Sequence, residues 1–138
     1  MVRIHEVVAY VVVGLFAVGW VWGLGARIVR RGPGDAYWRW LTAVQVTLGV
    51  EVLLGVILFV TGHRVDTGGS LSRVLHYVYG GLPILLLVYA HAIARQGNAA
   101  MIGLDPAKHI APWVPFAWAS FICFGLTLRA LMTGLGVG

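Results

Sequence analysis

The sequence predicts an all-α fold, an integral membrane four-helix bundle running up-down-up-down. Two observations carry that reading. Of 138 residues, 59% are hydrophobic and 11% charged, with a mean hydropathy of +0.86. A soluble domain carries about 25% charged residues, so this chain has too few to cover a water-facing surface. The apolar residues also fall into four runs, each near the roughly 20 residues a membrane span needs. No composition shift divides the chain, and residues 1–138 read as a single transmembrane domain.

The formal charge of +5 does not point to nucleic acid. The arginines stand at the ends of apolar runs, where they act as interfacial anchors and topology signals. The lone cysteine, Cys123, lies inside an apolar run and reads as a small buried apolar group.

The first span is expected over about residues 6–27. Its many β-branched residues are no obstacle, because a helix satisfies its own backbone in lipid. Gly14, Gly19, Gly23 and Gly25 offer close approach to a neighbouring helix, and Gly19 and Gly23 have small-xxx-small spacing. The run is too long for a cleaved leader, so this segment is expected to remain. Arg27, Arg30, Arg31 and Arg39 make the following loop basic, and Pro33 between two glycines breaks any helix there. Tyr37, Trp38 and Trp40 read as half of an aromatic belt.

The second and third spans are expected over about 40–62 and 71–95. The glycine-rich turn between them is short, which predicts antiparallel neighbours. Pro83 falls inside the third span and is expected to kink it. Asp105-Pro106 reads as the start of a short interfacial helix. The fourth span is expected over about 110–132, with Pro112 and Pro115 in its first turns and Arg129 snorkelling to the interface. The loops after spans one and three hold Arg27, Arg30, Arg31, Arg39, Arg95 and Lys108, against Arg3, Arg64, Arg73 and Arg129 on the other side. That six-to-four ratio places both termini outside, in a multi-pass protein of the cell membrane.

The hairpin over residues 41–96 holds the chemistry. It carries Gln45, Glu51, His76 and His91 inside apolar runs. An ionisable group within a span marks a functional site by default. His5, His63 and His76 fall on the terminal side, with Arg3, Arg64 and Arg73; His91 and His109 fall on the other. A b-type heme between helices needs imidazoles from two different helices, small residues beside the macrocycle, and arginines for its propionates. His5 and His76 meet the first need, and Ala9 and Gly80, each one turn deeper on the same face, meet the second. Arg3, Arg64 and Arg73 are candidates for the third, and His63 is a substitute iron ligand.

Other uses of these residues stay open. His76 and His91 are 15 residues apart, roughly 22 Å along a helix and about 60° around it. A second heme would therefore be poorly aligned and would need His109. His5, Glu6, His63 and His76 suit copper or zinc by ligand type, but no fixed spacing motif joins them. Glu51 is either a proton relay or cofactor contact, or a protonated carboxyl bonded to a neighbouring helix. Gln45 reads as interhelical glue, at the depth of His91.

Gln45, Leu48 and Gly49, followed by a short loop and then Leu75-His76, resemble the second and third helices of a heme A synthase four-helix half. Small membrane proteins of the b-type cytochrome kind share that pattern. The resemblance covers roughly residues 5–92. It implies a four-helix bundle holding one b-type heme through His5 and His76. The family usually has two such halves. It also carries a glutamate three residues before the first histidine, where this chain has Val2, with Glu6 following His5 instead. An arginine directly after that histidine is missing too. These departures separate the expected fold and heme from the family's oxidation of a heme methyl, so whether the chain is an enzyme is left undecided.

The sequence thus favours a small membrane cytochrome serving electron transfer or heme handling in a respiratory context. Two readings compete with it: a heme-free accessory subunit of a larger membrane complex, and a transporter or channel using Glu51. The expected partners are the lipid bilayer and other membrane subunits or further copies of the chain.

Overall fold

The computed structural model describes residues 1–64, 69–96, 105 and 109–137. They form four helices: α1 over Val2–Ile28, α2 over Gly34–Val60, α3 over Ser70–Gln96 and α4 over Trp113–Gly134. All four are long and apolar enough to cross a membrane. No strand occurs among the described residues. The Asp105-Pro106 helix expected from the sequence lies outside them, apart from Asp105 itself.

The helices extend beyond the expected spans at several ends. α2 begins at Gly34, directly after Pro33, which serves as its N-cap. Proline suits that place because the first turn of a helix has no intrahelical acceptor for its N–H groups. Pro112 plays the same part for α4. Pro83 lies within a continuous α3 and is buried. At its other end α2 closes in a Schellman motif. The N–H of His63 reaches Leu58 O at 2.9 Å, that of Gly62 reaches Phe59 O at 3.2 Å, and Gly62 takes the left-handed φ of 81° that the motif requires.

α4 is the hub. It packs closely on both α1 and α3, and α1 packs on α2, so the helices follow the order α2, α1, α4, α3 around the bundle. The α1–α4 seam depends on small residues. A Cβ built on Gly23 would lie 2.5 Å from Ala117 Cβ, and one on Gly19 would lie 3.2 Å from Ser120 Oγ.

The expectation for the α2–α3 hairpin needs correction. The two helices scarcely meet through their backbones. Side chains bridge them where Gln45 Nε2 lies 3.2 Å from His91 Nε2 and where Phe59 meets Tyr77 with ring centroids 5.3 Å apart. The reason is how residue size is distributed. Trp22, Tyr37, Trp40 and Phe116 fill the half of the bundle nearest the α1–α2 loop. Tyr37 is fully buried there and is a core residue, where an aromatic belt was expected. The other half carries Ala9, Gly55, Gly80, Gly81, Ala130 and Gly134 among its lining residues and is left hollow.

Candidate functional site

The hollow is a cavity of about 740 Å³ to which all four helices contribute. That volume lies within the usual range of about 300–1,000 Å³ for ligand sites. α1 supplies His5, Ala9 and Val12, one face of the helix at i, i+4 and i+7. α2 supplies Leu48, Glu51, Val52 and Gly55 by the same spacing rule. α3 supplies His76, Tyr77, Gly80 and Gly81, and α4 supplies Thr127, Ala130, Leu131 and Gly134. His63 and Arg64, just past the end of α2, stand exposed at its rim.

The two imidazoles face this space from different helices. Their ring centroids are 6.4 Å apart and their planes cross at 78°. Each ring has a neighbour at its Nδ1, Ala130 for His76 and Glu51 for His5, and both neighbours also line the cavity. Nδ1 of His76 donates to the backbone oxygen of Ala130 at 2.9 Å. That bond fixes the tautomer, with the lone pair on Nε2. Nδ1 of His5 lies 3.0 Å from Oε1 of Glu51, half-buried on both sides. The approach is close in distance but outside hydrogen-bond geometry, and Glu51 Oε2 likewise has no hydrogen bond. A buried carboxyl group left so incompletely satisfied is costly.

Glycine holds both rings in place. A Cβ on Gly134 would come within 3.1 Å of His76 Cε1 and 3.3 Å of its Nδ1. A Cβ on Gly55 would lie 3.4 Å from His5 Cε1. Neither glycine stands out in the sequence, because the contact is made across helices. The nearest signal is that Gly55 falls one turn beyond Glu51. Gly80 and Gly81 differ: a Cβ on either meets nothing within 4 Å, so they widen the cavity without touching a neighbour.

The structure gathers some of the expected site residues and not others. His5, His76, Ala9, Gly80, His63, Arg64, Glu51 and Glu6 all line the cavity. Arg3, exposed in the first turn of α1, and Arg73, half-buried in the first turn of α3, are not among its lining residues. Gln45 and His91 bond each other in the other half of the bundle. His109 is exposed before α4. Among the described residues no group of three or more His, Cys, Asp or Glu side chains is arranged to hold a metal ion. The donor set on the cavity is therefore a pair of imidazoles from α1 and α3.

No protein family, curated protein or solved structure matches this chain.

Proposed function

We propose that this small multi-pass membrane protein binds one b-type heme between α1 and α3, with His5 and His76 as axial ligands, and serves electron transfer or heme handling in a respiratory membrane. The carrying observation is the pair of imidazoles on one apolar cavity, each with a neighbour at Nδ1. Outer partners of this kind, a carbonyl or a carboxylate on the second ring nitrogen, orient metal-binding histidines and raise their basicity.

Heme, when bound, supplies a reversible one-electron iron couple. The chain's own residues do the rest. The Ala130 carbonyl holds the His76 ring so that Nε2 is presented, and the Glu51 carboxyl lies beside Nδ1 of His5. Gly55 and Gly134 leave room for those ring positions, and Gly80 and Gly81 leave room for a flat ring system. Arg64 at the rim offers a guanidinium to propionate carboxylates. Apolar walls exclude water, which with the ligand pair sets the potential. The likeness to heme A synthase halves is part of this proposal and extends to the bundle and the heme alone.

The test is the reduced-minus-oxidised visible spectrum of the full chain, expressed with ample heme. The proposal expects a b-type α-band that is lost in His5→Ala and in His76→Ala and kept in His63→Ala. Purified protein without Soret absorption sinks it and favours the heme-free accessory subunit.

A further inference from the structure

A second concavity, of about 540 Å³, lies at the opposite end of α1 from the histidines. Its lining includes Arg27, Arg30, Arg31, Gly32 and Trp113. The three guanidinium groups crowd one space because α1 ends in a Schellman motif. The N–H of Arg31 returns to Ala26 O at 3.1 Å and that of Arg30 to Arg27 O at 3.2 Å, folding the chain back on the last turn. Arg27, Arg30 and Arg31 make no ion pair with a described carboxylate, and Asp35 makes none with them.

Arg30 is out of place as a purely structural residue. It occupies the left-handed position of the motif with φ of 55°. In the matching motifs that close α2 and α4 that position is Gly62 and Gly136. A side chain there is strained, and glycine is the usual choice. Helix N-termini also meet this end, alongside the C-terminus of α1 itself. α2 and α4 start beside the basin, at Gly34 and Trp113, and neither has a side-chain cap on its first-turn N–H groups.

We propose that this basin binds a phosphate group at the membrane interface, held by Arg27, Arg30 and Arg31 with Trp113 as one wall. Guanidinium forks match phosphate oxygens two at a time, and basic pockets between spans take anionic headgroups. The same chemistry is offered by a phospholipid diester and by free phosphate, and the test separates them.

Native mass spectrometry of the full detergent-purified chain would be run with phosphatidylglycerol, phosphatidylcholine and inorganic phosphate as probes. The expected result is preferential retention of phosphatidylglycerol, weakened about fivefold for each arginine removed in Arg27→Gln and Arg31→Gln. Arg30→Gly carries the sharper expectation, because it should weaken retention by a similar factor while raising the thermal midpoint. Arg64→Gln, at the other end, leaves retention unchanged. Displacement of the lipid by millimolar inorganic phosphate identifies free phosphate as a sufficient ligand, and resistance to it identifies the diester. Equal retention of phosphatidylcholine, or wild-type retention in both Arg30→Gly and the Arg27→Gln, Arg31→Gln double variant, overturns the proposal. Heme absorbance does not enter any readout, so this site stands or falls apart from the histidine cavity.

Discussion

At the residue scale, two glycines of α4 give opposite expectations. Alanine at Gly134 would press its Cβ onto Cε1 and Nδ1 of His76, closer than ordinary contact. The ring must turn or the last turn of α4 must move, and either disturbs the Nδ1–Ala130 bond. The expected cost is about 1–2 kcal/mol, in the usual range for overpacking. Alanine at Gly125 meets nothing within 4 Å on an exposed stretch of the same helix. It should be neutral or gain up to about 1 kcal/mol from the lost flexibility of glycine. Thermal unfolding of both variants in one detergent checks the pair, and equal effects would mean that His76 does not rest on α4. Glu51 gives a second expectation. Glu51→Gln keeps the shape, so the fold should survive, but the amide cannot replace a carboxylate beside His5. Under the proposed function heme affinity then falls about 10–100-fold, the usual effect of removing such an outer partner, which a heme titration followed at the Soret band would read.

At the element scale, the α1–α4 seam is the tightest test of the fold. Gly23→Ala would bring two Cβ atoms to 2.5 Å, between two backbones and with no flexible side chain to yield. The helices must separate, at an expected cost of about 1–3 kcal/mol, measurable as a fall in thermal midpoint. An unchanged midpoint would mean that α1 does not seat on α4 at Ala117. The spacing of Gly19 and Gly23 pointed to this seam, because close approach along one face is a property of a single helix and is written in its own residues. The four spans were legible for the same reason. What the sequence hid is decided between helices. A short turn makes α2 and α3 antiparallel, but it does not press them together, and their gap follows from aromatic residues filling one half of the bundle and small ones lining the other. Tyr37 beside Pro33 and Arg39 looked interfacial, yet a helix begun at Gly34 turns it onto Trp22 and into the core. Gly134 and the Ala130 carbonyl carry no local mark, and Gly55 only its place one turn beyond Glu51, since each matters only through an imidazole from another helix.

At the scale of the whole molecule, the two ends of the bundle are chemically unlike. One end opens the cavity of His5 and His76 beside His63 and Arg64, and the other carries the arginines of the α1–α2 connection. Which end meets which compartment determines where any redox partner docks. The Lys and Arg bias predicts the arginine-rich end inside and the histidine cavity toward the outside. Single cysteines at neutral, exposed positions test this without altering the charge ratio. Gly32 lies at the arginine end with open space at its Cβ, and Ser70 is exposed at the start of α3, on the histidine side. Native Cys123 is fully buried and serves as the internal control, unreactive until the protein unfolds. A membrane-impermeant maleimide should label Ser70→Cys on intact cells and Gly32→Cys only after permeabilisation. The reverse pattern would turn the cavity to the inner compartment, and a partner for the proposed heme would then have to be sought on that side. It would also mean that the small charge bias had been outweighed, which the slender margin of two residues makes the physical point at issue.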